Sequence, residues 1–520
     1  MEKTLELISR PGFIPISQVT ALESPVASTS NNADILSELP LPAILDHTNS
    51  NDPPFGTSSD ADVSANQIEA TSLKSGPRYL ISPRRNSSLS SLTCKLRLFT
   101  SFATISSFFI RYFDHMNAQC GLLERGFHTL PMVRSKSHFL LTTICAIAAK
   151  YYDKKPDLHV QLSQIARNLA FSVLESGDKS VEIVQAYMLL TIWPIQGRAW
   201  LMLGLAIRIA LEMNLHREPS GALPVKEKRN RERTWLICYT LDRSISVQTG
   251  KPHSIVDDYI VRNDGQWWQR PESIPQDAGV VEHLEFQRIL SRGLGILSSE
   301  SGQSDYTSAI SAIESQLQTW NNEWKPRRMT TDSEYRSLTG VLYYHYAITT
   351  VNLFGLQNAV KHAPADIPHF FSQCHSPGMA CISVVLDELL PRGYMRYAPD
   401  SHFVITSHVA VALLKLIRPE FAGLLDSQQE TLQSAQAIAD MFSDIAANAV
   451  HIPARSGAFL RALISSKKGS VAAPAPFHNS QAWPITQQLG SQAPFNKVNT
   501  PGPAPAECSA LQLDGSSLYQ

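Results

Sequence analysis

Closely spaced cysteines are missing from this 520-residue sequence. The seven it has (Cys94, Cys120, Cys145, Cys238, Cys374, Cys381, Cys508) are scattered, and no two stand nearer than Cys374 and Cys381. That argues against the disulfide framework of a small secreted domain and against Cys-x-x-Cys metal pairs, and it points to a reducing compartment. Charge imbalance is missing too. Lys and Arg number 45 against 46 acids, a net charge of −1, so no overall field draws the chain to nucleic acid or to an anionic membrane. Long apolar runs are short of what a bilayer requires: Leu98 to Ile110, between Arg97 and Arg111, falls below the roughly 20 residues of a spanning helix and reads as a core helix. The opening residues have no basic start leading into an apolar run, which argues against a secretory signal peptide.

Catalytic and metal motifs are equally scarce. Gly293-Leu294-Gly295 lacks the third glycine of a phosphate-cradling loop and has Ser298 in its place, and no Gly-x-Ser-x-Gly elbow occurs. Glu282 and Glu285 share a helical face, a spacing that reads as a solvated pair. His362, His369, Cys374, His375 and Cys381 are ligand types for zinc or copper, but their spacing matches no common site. No catalytic residue, cofactor or metal is expected from these features.

What is present is an apolar fraction of 43% and 32 prolines, unevenly distributed. Residues 1–95 are rich in Ser, Asn and Pro and are expected to be a disordered arm, with Pro83-Arg84-Arg85-Asn86-Ser87-Ser88 as its one basic element. Residues 98–466 carry apolar residues at helical spacing, segment after segment, with little strand-like alternation. Breaks fall at Lys154-Lys155-Pro156, Ser176-Gly177-Asp178, Gly250-Lys251-Pro252 and His362-Ala363-Pro364, and Arg262 to Ala278, with Trp267 and Trp268, reads as an irregular connection. The expected fold is an all-α helical domain. Residues 467–520 return to an Ala/Pro/Gln/Ser composition and are expected to be a disordered tail.

Two segments are specific. Gly197 to Leu215 is apolar nearly all round, with Arg198, Arg208, Glu212 and Asn214 as its only polar side chains, so neighbours should enclose it, and Gly204 should admit a close helix backbone. The second opens on the charged run Lys226 to Arg233 and continues through Arg243 to a stop at Gly250 and Pro252. Its mixed charges read as a solvated first turn and not as a phosphate-binding patch. Asp242 and Arg243 lie in apolar surroundings where each needs a partner, and Arg208 is the expected partner of Asp242.

These residues carry a resemblance. Gly197 to Trp200, Ala206 to Ala210, Leu215-His216-Arg217, Arg231-Glu232-Arg233-Thr234-Trp235, Leu241-Asp242-Arg243 and Gly250-Lys251-Pro252, with Arg134 to Tyr152 upstream, resemble the middle homology region of fungal binuclear-zinc-cluster transcription factors. The signature positions are Trp200, Gly204, Arg208, His216, Arg217, Trp235, Asp242, Arg243, Gly250 and Pro252. The resemblance is good over about 105 to 260 and general in character to about 465. Arg229 and Glu232 stand where many relatives have an acid and an arginine, a form similar to regulators of amino-acid metabolism and secreted proteases. It implies a nuclear regulator of RNA polymerase II transcription that reaches DNA directly or through a partner regulator, engages the transcription machinery and answers to a small-molecule effector. Homodimers are common in the family, although no sustained heptad precedes residue 98 here. The family's six-cysteine zinc cluster has no counterpart in this sequence. The competing reading is therefore a DNA-independent interaction protein that tunes other regulators.

Overall fold

Helices end where the sequence places its breaks. In the computed structural model, which describes residues 101–471 apart from 153–154, 196–197, 219–220, 263, 300–305 and 330–333, Gly177 and Gly250 close two long helices with φ near +70° and +65°. Glycine takes that left-handed conformation without a side-chain penalty. Pro156 opens the next helix after the first break, and Pro364 starts a short 3-10 turn after the last.

The order is α1 (Phe102–Arg111), α2 (Asn117–Cys120), α3 (Leu130–Lys136), α4 (His138–Ala149), α5 (Pro156–Ser176), α6 (Val181–Ile192), α7 (Ala199–Glu212), α8 (Val225–Thr249), α9 (Tyr259–Arg262), α10 (Asp264–Trp267), α11 (Pro275–Ser299), α12 (Tyr306–Met329), α13 (Glu334–His362), α14 (Ile367–Ser383), α15 (Asp400–Leu416), α16 (Gln428–Ile445) and α17 (Ile452–Val471). Among the described residues there is no strand, and no helix is long and apolar enough to cross a membrane. The fold is all-α. The expected N-terminal arm, the basic element at 83–88, Cys94, Cys508 and residues 472–520 of the expected tail lie outside the described residues, while residues 467–471 of that tail continue α17.

Most helices pack on a neighbour in sequence: α4 on α5, α6 on α7, and each of α11 to α14 on the next. The longer-range pairings α4 with α6 and α8 with α11 close these hairpins on one core. Every residue of α6 is buried, so it is an axis enclosed on all sides. Serine side chains cap several starts: Ser137 Oγ accepts from Leu140 N at 3.1 Å and Ser180 Oγ from Ile183 N at 3.2 Å, satisfying amides that a helix N-terminus leaves open.

Four sequence expectations are corrected here. First, α7 is not enclosed: Trp200 and Leu201 are 46% and 48% exposed, and a Cβ built on Gly204 meets nothing within 4 Å. Apolarity all round marks a buried helix only when neighbours exist on every side, and here they cover one. Second, the charged run is fully solvated only over its first residues; Arg229 and Arg233 are buried against Asp277 of α11, and Glu232 is buried against Arg270, just before α11. Third, Glu282 and Glu285 do not form a solvated pair: Glu282 is buried against arginines, and Trp324 Nε1 donates to Glu285 at 2.6 Å. Fourth, α1 is only half a core helix, with Phe108 and Phe109 buried and Phe102 and Ile110 exposed.

Candidate functional site

The signature residues hold the loop that follows α8. Asp242 accepts from the backbone amides of Ser254 and Ile255, both at 2.7 Å, and Arg208 is exposed on α7; the expected pairing of the two is not what the fold uses. A carboxylate that fixes two loop amides removes two orphan donors at once. The next residue, Arg243, pairs with Asp257 at 3.3 Å and lies 3.5 Å over the Tyr239 ring. Trp235 Nε1 donates to Asp258 at 2.7 Å. Trp235, Asp242 and Arg243 thus strap residues 254–258 to one face of α8, and the turn at Gly250 starts that strap. His216 lies against Trp235, with ring centroids 5.9 Å apart, and accepts from Arg217 Nε at 3.0 Å. Trp200 takes Lys251 Nζ 4.3 Å above its ring. Gly204, Arg208 and Pro252 are exposed and are not drawn into this group.

The second construction is a buried ionic knot. Asp277 is fully buried; it accepts from Arg233 Nε at 2.7 Å and pairs closely with Arg229. Arg229 stacks 3.8 Å above the Trp267 ring and donates to the Trp267 carbonyl at 2.9 Å. Glu232 in turn accepts from Trp267 Nε1 at 2.8 Å. Charges taken from water need such partners on every side.

The helix that carries both constructions, α8, also lines a cavity of about 530 Å³, within the range of small-molecule pockets, about 300–1,000 Å³. Its walls come from Ala118 to Gly121, the ends of α6 and α7, α8, α11, α13 and the start of α15. The α8 wall presents Thr240, Ser244 and Gln248, one turn apart and therefore in a row. Opposite in chemistry are the aromatic groups Trp320, Tyr335 and Tyr343 and the imidazoles of His283 and His402. His402 Nε2 meets the hydroxyls of Tyr335 and Tyr343 at 3.1 and 3.4 Å. Burial pushes His283 down to about 4 and His402 to about 3, so both are neutral at neutral pH. Glu282 is shared by Arg336, whose Nη2 donates at 2.8 Å, and Arg328. Burial raises the Asp400 carboxyl to about 6, with Lys150 as its counter-charge. Oε1 of Gln248 and Nε and Nη1 of Arg336 have no hydrogen-bond partner among the described residues. Among the described residues the site assembles no nucleophile with a base. Sequence reading missed it; the row Thr240, Ser244 and Gln248 in the second half of α8 was an available signal.

The His/Cys set at 362–381 is not assembled. Cys374 Sγ faces the Thr349 carbonyl, His375 bonds Thr431 at 3.0 Å, and His362 and His369 are exposed. Among the described residues no group of His, Cys, Asp or Glu could hold a metal ion.

Comparison with known proteins agrees with the family resemblance. The chain is 27% identical over 326 residues to Protein priB of Lentinula edodes, covering 59% of this chain and 53% of that one. It is 23% identical over 320 residues to the Transcriptional activator of proteases prtT of Emericella nidulans, 55% of this chain and 46% of that one. It is 27% identical over 197 residues to the Sorbicillinoid biosynthetic cluster transcription factor 2 of Penicillium rubens, 32% of this chain and 28% of that one. The chain spans about half the length of the first two relatives. No solved structure matches it. The family model described as the fungal specific transcription factor domain matches residues 110–322, so the stretch from the end of α1 into α12 is similar to that domain.

Proposed function

We propose that the chain is a nuclear regulator of RNA polymerase II transcription in a fungus, controlling a metabolic, protease or biosynthetic gene set through its helical domain. The match over 110–322 carries this reading, and the relatives named for protease activation and for a biosynthetic cluster support the kind of gene set. The 530 Å³ cavity is the effector site in this reading: its walls join α8 to α11, α13 and α15, so a ligand that fits one arrangement of these helices better than another shifts their balance. The chain acts as a regulator, not as an enzyme.

The near-zero net charge and scattered cysteines favour a second reading, in which DNA is reached through a partner regulator. Chromatin occupancy of the tagged protein, with binding of the purified chain to recovered sites across a salt series, separates the two. Direct binding that weakens steeply with salt means phosphate contacts made by this chain; occupancy without direct binding means a partner-dependent regulator. Absence from chromatin together with unchanged transcripts on deletion would overturn the proposal.

A further inference from the structure

We infer that the cavity takes an uncharged, largely apolar carbonyl compound, its body against the aliphatic and aromatic walls and its oxygen at the tyrosine hydroxyls that crowd His402. This rests on the reading of the cavity as an effector site and names the ligand class that the site selects.

The charged groups of the wall, Glu282, Arg336 and Asp400, are matched or turned away from the cavity. Both oxygens of Glu282 are taken, Oε2 by Arg336 Nη2 at 2.8 Å and Oε1 by Arg328. Nε and Nη1 of Arg336 are closed off, because α11 passes against the guanidinium at Gly279, where a Cβ would stand 2.7 Å from Nε. Asp400 is 3% exposed, its Oδ1 is closed off as well, and burial raises its carboxyl to about 6. A ligand cation there would meet the charge of Lys150, which already acts on Asp400. His283 and His402 are neutral at neutral pH. A charged ligand would give up its hydration without finding a free counter-charge, a penalty that an uncharged one escapes.

Most hydroxyls of the wall are taken up by the fold. Thr240 and Thr339 donate to the carbonyls of Leu236 and Tyr335, both at 2.9 Å, and Ser244 Oγ accepts from Gln248 Nε2 at 2.9 Å. The exception is a pair of tyrosines. A neutral imidazole nitrogen offers one site, a lone pair or a hydrogen, yet His402 Nε2 faces the hydroxyls of both Tyr335, at 3.1 Å, and Tyr343, at 3.4 Å. Neither hydroxyl has another partner among the described residues, so at least one of the two hydrogens is left without an acceptor. A buried donor left unmet is costly, and a carbonyl oxygen meets it without bringing a charge. Ile237, Leu241, Ile245 and Val280 are aliphatic and Trp320 is aromatic, walls that suit an apolar body.

The test is calorimetric titration and thermal denaturation of the full chain with molecules of one shape: 4-phenylbutan-2-one, 3-phenylpropanoate, protonated 4-phenylbutan-2-amine and butylbenzene. The ketone is expected to bind and raise the melting temperature, both ions to bind weaker by about tenfold or more, and the hydrocarbon to fall between. Tyr335→Phe and Tyr343→Phe should each narrow the ketone's advantage over butylbenzene, and the two together should remove it. Ser244→Trp, which fills the cavity, should remove binding of both. An ion that binds as tightly as the ketone, or a ketone no tighter than butylbenzene, would overturn the ligand class and leave the cavity reading standing. A ketone advantage that survives loss of both hydroxyls would place its oxygen elsewhere and overturn the inference. Binding that survives Ser244→Trp would overturn it too. So would silence from every probe, and a fragment screen against wild type and Ser244→Trp then decides the cavity reading separately. If Ser244→Trp does not fold, the contrast among the probes on the wild type and the tyrosine variants decides alone.

Discussion

At the scale of single residues, the knot around Asp277 is the most exacting feature of the fold. Two guanidiniums, Arg229 and Arg233, are buried and converge on one carboxylate that is itself inaccessible. Asp277→Asn keeps the shape and removes the charge, leaving two buried cations without their shared counter-ion. Breaking a buried pair in this way costs about 3–5 kcal/mol, and urea denaturation of the two proteins should show a loss of that size. A loss below about 1 kcal/mol would mean that the knot is hydrated. These arginines were legible as residues that the charged run contains, and misread as solvated, because their partner lies beyond a loop and two short helices. Asp242 shows the same limit from the other side. Its need for a partner was legible from its apolar surroundings, but the partner turned out to be backbone amides, which no residue type announces.

At the scale of the element, α7 departs most from what its composition suggests. It is apolar on all sides, yet Trp200, Leu201, Gly204 and Arg208 face outward along one stripe. A glycine in an exposed helix interior costs roughly 0.5–1 kcal/mol relative to alanine, and nothing stands within 4 Å of a Cβ at Gly204. Gly204→Ala is therefore expected to stabilise the chain by up to about 1 kcal/mol in thermal denaturation. Destabilisation would show that a backbone approaches this face in solution. Gly340 is the contrast, since a Cβ there would fall 2.3 Å from the Arg328 guanidinium. Helix ends were the most legible part of the fold: glycine and proline punctuate it through backbone geometry that depends on no distant contact. Helix faces were less legible, because which side is covered is decided by elements far along the chain.

At the scale of the molecule, burial makes the fold sensitive to acid. His128 and His283 sit at about 4, His402 at about 3 and His451 at about 2, each lowered chiefly by burial. A histidine depressed in the fold contributes its stability in full above the unfolded value near 6.5, and loses about 1.4 kcal/mol per pH unit below it until its folded value is reached. Asp400, raised to about 6 by burial, runs the other way: it gains its proton in the fold before the unfolded chain does, so acid favours the fold between about 6 and 4. Four such histidines oppose one acid, and the melting temperature should fall from pH 7 to pH 5. His402→Asn should flatten that slope, and a flat wild-type profile would refute the neutral imidazoles. None of this was visible in the sequence, and neither was the cavity, whose walls come from stretches spread between Ala118 and His402.

That spread has an evolutionary side. The family match ends at residue 322, whereas Tyr335, Arg336, Tyr343, Asp400 and His402 line the same cavity from beyond it. After a gene duplication, the wall from the matched stretch, which also anchors the strapped loop, can be held constant while the later wall drifts. On the effector reading proposed above, exchanges in that later wall change which small molecule fits while the helix that anchors the loop stays as it is.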